Sequence, residues 1–240
     1  TMTYRCGKAI VALAQQYVPD FEGGPENPEG EVRTLGWDQS CNGAEAVPNG
    51  ETLVNAAGPG DFILSRVNAP LVSIAMKLLR AGKRTKIAGR DIGDGLISLV
   101  RKLKARSVPD FLGKVASWEA REVARLQPAL AKATNGRKRT IEQKIDGIHD
   151  KAEMLSSLAD GAPNVDEVAS RIAALFTDDG LGDKGLIVCS SVHKAKGKEA
   201  DCVFVLKDTL RSGGEEDNIA YVAVTRAKNT LVWVNGEGTV

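Results

Sequence analysis

The chain has 240 residues, 42% of them hydrophobic, with 32 Lys and Arg against 31 Asp and Glu and a formal net charge of +1. That length suffices to bury a full core in one large or two modest domains. No apolar run reaches membrane-spanning length and no signal peptide is visible, which sets aside a membrane-embedded protein. Net charge alone names no nucleic-acid partner, but its distribution is uneven: residues 90–160 carry fourteen basic against ten acidic side chains, and 161–240 nine against twelve. Local fields, not net charge, steer DNA. Cys6, Cys41, Cys189 and Cys202 lack the spacing of a metal site and read as reduced thiols of an intracellular protein. The expected location is cytoplasmic.

Thr3-Tyr4-Arg5-Cys6 leads into a helix expected over 8–17, with Ile10, Leu13, Ala14 and Tyr17 on one face. Read alone, Tyr4 is a packing staple and Arg5 a solvated charge. Residues 19–60 are rich in Pro, Gly and acids. There the alternation of 31–37 predicts a strand, 52–57 suggest a short helix, and no chemistry is evident. Residues 61–69 predict a strand and a turn. A helix follows over 70–81, opened by Pro70 and closed by Gly82, and then a short strand over 85–89. On local grounds Arg66 is a strand-end charge and Asn68 a helix cap. Gly82-Lys83-Arg84-Thr85 is no phosphate loop, because G-x-x-x-x-G-K-[ST] needs glycine where Lys77 stands. Neither that motif nor a Mg²⁺-binding carboxylate motif occurs in the sequence.

From 90 to about 183 the pattern becomes helical. Ile92, Leu96, Leu99, Val100 and Leu103 mark one helix, and Phe111, Leu112, Val115, Trp118, Val123 and Leu126 a second. Ile141, Ile145, Ile148, Met154, Leu155 and Leu158 mark a third, and 165–176 a fourth. Trp118 and its aromatic neighbours read as core. Arg137-Lys138-Arg139, after Asn135-Gly136, reads as a solvated turn, with DNA contact the lesser alternative.

Uninterrupted β-branched runs at 186–189, 202–206 and 230–234 suit strands covered on both faces, as in a parallel sheet. Before the third, Glu215-Glu216-Asp217 opens a helix that Arg226 and Lys228 are expected to close. Strand, polar loop, strand, helix, strand is the order of an open α/β sheet, which places ligands beyond the carboxyl ends of its strands. The loop 193–199, rich in Lys and containing Gly197, is expected there as an anion site.

The residue order says more. Ser191-Val192-His193-Lys194-Ala195-Lys196-Gly197-Lys198-Glu199 resembles the T-x-H-x-x-K-G-x-E motif of superfamily 1 helicases of the UvrD/Rep/PcrA type, with Ser for Thr. Ala220-Tyr221-Val222-Ala223-Val224-Thr225-Arg226-Ala227 resembles the same family's last motif, A-Y-V-x-x-T-R-A. Two such motifs in this order and at this separation are a specific signal. Tyr4-Arg5 resembles the centre of N-Y-R-S, with Thr3 and Cys6 replacing Asn and Ser, and 61–89 resembles a further unit, I-L-x-R-x-N-A with its helix and strand. Ala200 stands where the family often has a large aromatic, and Lys198 where it often has Leu, which puts the packing behind the motif in doubt.

The resemblance implies an α/β, RecA-like (P-loop NTPase-type) fold: a mostly parallel sheet flanked by helices, with an inserted helical subdomain. The motor domain would comprise 1–89 and 184–240, and the insertion 90–183. By resemblance the chain is the second motor domain of an ATP-dependent DNA helicase, completing the ATP site and the single-stranded DNA track. Arg226 would be the arginine finger and Arg5 would reach the γ-phosphate, as guanidinium groups suit developing phosphoryl charge. Tyr4 would stack on adenine, Glu199 would accept a ribose hydroxyl, and Gly197 would permit close approach. Arg66, Asn68, Ser191, His193 and Lys196 would face the DNA track or couple it to the nucleotide. ATP and Mg²⁺ are the implied cofactors, with the Mg²⁺ ligands expected mainly from a first motor domain. The implied partners are that domain, single-stranded DNA and single-strand/duplex junctions.

The sequence starts inside a family motif, so it is expected to be one part of a larger polypeptide, bacterial or phage-encoded. Alone, without a phosphate loop, it is expected not to hydrolyse ATP. Arg226 as a helix C-terminal charge stays open as an alternative, and Tyr221 reads as packing. The rival readings are a non-catalytic DNA-binding remnant of the fold, the helicase part of a helicase–nuclease complex, an RNA-directed relative, and an ATPase indifferent to DNA.

Overall fold

The computed structural model describes residues 2–36, 52–178 and 184–235. Trp37, Cys41 and the expected tail of the insertion at 179–183 lie outside them. The chain divides into two compact units, residues 1–89 with 178–240, and residues 90–177. The first unit opens with β1 (Met2–Thr3), α1 (Lys8–Ala14), β2 (Glu22–Gly23), β3 (Glu31–Gly36), α2 (Leu53–Ala56), β4 (Phe62–Ser65), α3 (Ala69–Arg80) and β5 (Thr85–Ala88). The second contributes α4 (Arg90–Leu103), α5 (Val108–Lys132), α6 (Asn135–Ala159), α7 (Val165–Leu175) and β6 (Phe176–Thr177). The first then resumes with β7 (Ile187–Ser191), β8 (Ala200–Leu206), a 3-10 turn (Lys207–Thr209), α8 (Glu215–Val224) and β9 (Ala227–Asn235).

Six strands of the first unit lie side by side in the order β3-β9-β8-β4-β7-β5. All five of these pairings are parallel. Every residue of β4 and β7 is buried, which is why those strands read as continuous apolar runs and not as alternation. Side chains point alternately to the two faces. Phe62, Leu64, Val188, Val203, Val205, Leu231 and Trp233 share one cluster with Ile10, Val11 and Ala14 of α1 and Ala223 and Val224 of α8. Ile63, Cys189, Phe204 and Val232 therefore point to the opposite face, where α3 packs over β4, β5 and β7. A parallel sheet with helices on both faces is consistent with a RecA-like fold.

Two sequence expectations change here. Helix α8 stops at Val224, so Arg226 and Lys228 are not in its last turn. The Thr225 hydroxyl donates to the Tyr221 and Val222 carbonyls at 2.9 and 3.3 Å, and Ala227 already pairs with Ala200 as the first residue of β9. The loop after β7 also does not stay at the carboxyl ends of the strands. Because β7 and β8 both run parallel to β4, residues 192–199 must return across the sheet, burying Val192 and Ala195 in the α1–α8 cluster on the way. Residues 197–199 therefore arrive at the amino ends of β8 and β9.

The second unit is helical. Helices α5 and α6, each of 25 residues, pack along one another, and α7 packs on α4 and α6. Ser107 caps α5 by accepting the Asp110 amide at 3.3 Å, and Asn164 caps α7 by accepting the Glu167 amide at 2.8 Å. Arg171 ties α7 to the end of α6 by donating to the carbonyls of Leu158 and Asp160 at 2.9 and 2.7 Å. Phe111 is fully buried while Trp118 is only half-buried. Arg137, Lys138 and Arg139 are exposed, but they lie in the first turns of α6, not in a solvated turn.

The central sheet carries the first unit's stability. Phe204, with no exposed surface in β8, should cost about 3–5 kcal/mol on replacement by Ala, through lost burial and the cavity left behind. Denaturant unfolding of Phe204→Ala should show a lower midpoint with little change in slope.

Candidate functional site

The motif residues gather at two opposite ends of the sheet. At the amino ends of β8 and β9, the turn between β1 and α1 docks on the start of β9. The Gly7 amide donates to the Lys228 carbonyl at 2.7 Å. The approach is close: a β-carbon on Gly7 would fall 2.6 Å from the Gly30 Cα, so neither backbone leaves room for a side chain there. Buried Asn27 donates to the carbonyls of Thr3 and Cys6 at 3.0 and 2.9 Å, fixing the turn that presents Tyr4 and Arg5. Sequence reading saw no chemistry in that stretch. Asn27 was hidden because its partners are backbone carbonyls more than twenty residues away.

Tyr4 is 72% exposed, its ring lying over Gly24, where a β-carbon would come within 2.5 Å of Cδ1. It is not packed as a staple. Arg5 donates to Glu199 Oε2 at 2.9 Å, across 194 residues of sequence. Lys228 reaches the other oxygen, Oε1, at 2.8 Å. Lys228, the nearby Arg5 and their hydrogen bonds hold the Glu199 carboxyl below the usual carboxylate range. Lys228 lies not at a helix end but in β9, whose start at Ala227 brings it to Glu199. Gly197 has φ +82°, a conformation side chains rarely adopt, and it shapes the turn that delivers Glu199.

Arg226 is half-buried beside this pair. Its Nε donates to the Val222 carbonyl at 3.0 Å, one terminal nitrogen to the Lys198 carbonyl at 3.3 Å, and the other to Thr225 Oγ1 at 3.2 Å. Those bonds use three of the five donors of a guanidinium. Burial and the positive charge of Arg5 push its pKa down. The guanidinium thus closes the last turn of α8 while standing in the field of Arg5 and Glu199. Tyr221 packs: its ring meets Phe21 edge to face, with centroids 5.3 Å apart. Cys6, Cys189 and Cys202 are free thiols; burial pushes Cys202 up to about 12.

At the carboxyl end stand Arg66, Asn68, Ser191 and His193; Lys196, expected with them, instead lies next to Gly197 where the crossing segment nears the amino ends of β8 and β9. Ser191 is the buried last residue of β7, and His193 and Lys196 are exposed. Atoms around the His193 ring, and then the Arg66 guanidinium, hold its pKa below the ordinary value. Asn68 sits at the N-cap position of α3, but its side chain makes no capping bond. Arg66 grips the Glu216 carboxylate at 3.0 and 3.1 Å. Glu216 was read only as a helix-opening acid, because its partner lies 150 residues away.

A parallel α/β domain with a cationic and carboxylate cluster at one end of its sheet, and a polar cluster at the other, is the class that this geometry defines. Residues 186–234 match the family model of the UvrD-like helicase C-terminal domain. Both helicase motifs read from the sequence fall inside that span, which is consistent with a UvrD-like C-terminal domain there. No curated protein matches the chain. Among the described residues no group of three or more His, Cys, Asp or Glu is placed to hold a metal ion. None of their helices is long and apolar enough to cross a membrane.

The Glu199 triad makes a pH prediction. Its folded pKa is depressed, so the stabilisation is fully present above the ordinary glutamate pKa. It is lost as pH falls through the lower, folded value. Carboxyl ¹³C titration should place Glu199 below the ordinary range, and Lys228→Met should move it upward; an unchanged titration would show that Lys228 contributes nothing.

Proposed function

We propose that the chain is the second motor domain of an ATP-dependent DNA helicase or translocase, completing the nucleotide site and the single-stranded DNA track when it closes on a first motor domain. The observation that carries the reading is the meeting of Arg5 and Glu199 beside Arg226, from three segments far apart in sequence. A structural role alone gives no reason to leave Tyr4 exposed next to them.

ATP suits this donor set. Tyr4 offers a ring face to a base, and Glu199 an acceptor to a ribose hydroxyl. Arg5 and Arg226 offer guanidinium groups to phosphate oxygens. Phosphoryl transfer spreads negative charge over the γ-phosphate, and a positioned guanidinium stabilises that charge. Arg5 is held by Glu199 and is more than half exposed, so phosphate competes with a carboxylate for it. Mg²⁺ and the phosphate loop belong to the first motor domain in this reading. His193, exposed at the other end of the sheet, suits contact to a strand's phosphates, which position it without reading sequence; Lys196, exposed on the crossing segment, would couple that strand to the nucleotide end.

The test is ATP turnover, with and without single-stranded DNA, for this chain alone and joined to a first motor domain. Turnover should appear only in the joined protein and rise with single strands. Arg226→Ala should lower kcat on the order of a thousandfold. No turnover in the joined protein would favour a DNA-binding remnant, and turnover indifferent to DNA would favour a general ATPase.

A further inference from the structure

The Arg66–Glu216 pair is more sheltered than the Arg5–Glu199 pair. Its side chains are only 22% and 12% exposed, against 58% and 31% for Arg5 and Glu199. The contact is two-pronged, with Nε and one terminal nitrogen each bonded to a different carboxylate oxygen. The Arg66 amide is fixed as well, donating to the buried Thr209 hydroxyl at 3.1 Å. Arg66 follows directly on β4 at its carboxyl end, and Glu216 lies in the first turn of α8. At the other end of that helix Thr225 and Arg226 grip the last-turn carbonyls. The ten residues of α8, Glu215–Val224, span about 15 Å at helical rise. One end of α8 is therefore clamped beside the motif at the carboxyl end of the sheet, and the other carries the guanidinium of the nucleotide cluster.

Building on the motor reading, we propose that Arg66 is a positioning residue and not a phosphate contact: it holds Glu216, and through it seats α8 so that Arg226 is correctly placed when a single strand is bound. The chemistry favours this over a DNA contact. A guanidinium engaged edge-on by a sheltered carboxylate has already spent its planar fork. Drawing it onto a phosphate would break both prongs of this sheltered contact, and breaking a largely buried pair is costly. His193, exposed and close enough to feel both charges, keeps its surface for the strand.

The two roles separate experimentally in the protein joined to a first motor domain. Glu216→Gln should lower the single-strand-stimulated kcat ten- to a hundredfold, the scale of a small misplacement of a catalytic group. The salt dependence of strand binding should not change, because no cation is lost. Arg66→Lys should behave alike, since an ammonium keeps the charge but cannot form the fork. Exchanging the pair, Arg66→Glu with Glu216→Arg, should restore much of the stimulated rate, which a merely misfolded variant would not allow. The inference is overturned if Glu216→Gln and Arg66→Lys turn over like the unsubstituted protein, or if Arg66→Gln lowers the salt slope by about 0.7, as loss of one single-strand phosphate contact would. Failure of the motor reading looks different. The unsubstituted protein would then itself ignore single strands, and the inference would fall with it.

Discussion

Parallel pairing is the constraint on which the rest of the first unit depends. Two adjacent parallel strands cannot be joined by a tight hairpin, so every connection must carry the chain from one end of the sheet to the other. Residues 192–199 do this between β7 and β8 without a helix, and α8 does it between β8 and β9. A single motif is thereby stretched across the domain: Ser191 and His193 at the carboxyl end, Glu199 at the amino end. Burial of Val192 and Ala195 against α1 and the sheet holds that crossing in place.

At the amino end the chemistry is a balance of charge. Three cations, Arg5, Arg226 and Lys228, surround one carboxylate, Glu199. The carboxylate is kept ionised by Lys228 and Arg5, and the local excess of charge is positive. Exposure separates the members: Arg5 and Lys228 are accessible, whereas Arg226 is half-buried and bonded to backbone carbonyls on both sides. Surface pairs of the first kind contribute little to stability.

The helical unit follows other rules. Its long hairpin of α5 and α6 has an apolar seam around Phe111, Val115, Ile141 and Leu155, and its ends are secured by local caps and by Arg171. Its charge pairs run mostly within single helices, as in Lys114–Asp110 and Arg171–Glu167, while His149 and Glu119 link α6 to α5. Arg137 to Arg139 lie in the first turns of α6, where Thr134 holds the N-cap position without a side-chain capping bond.

What the sequence by itself determined was the class of each element and the identity of the motif residues. Buried strands announce themselves by uninterrupted apolar runs, amphipathic helices by their period, and the two helicase motifs by residue order, all of which are local properties. What only the tertiary structure decided was where those residues meet. The pairs Arg5–Glu199 and Arg66–Glu216 join positions 194 and 150 residues apart, and Asn27 serves backbone groups that any residue type would present. The shift of Lys228 from helix end to strand, and of Gly197 and Glu199 from one end of the sheet to the other, came from the same cause. Which strands of a parallel sheet lie side by side, and so where each crossover ends, is fixed by pairing between segments far apart in sequence.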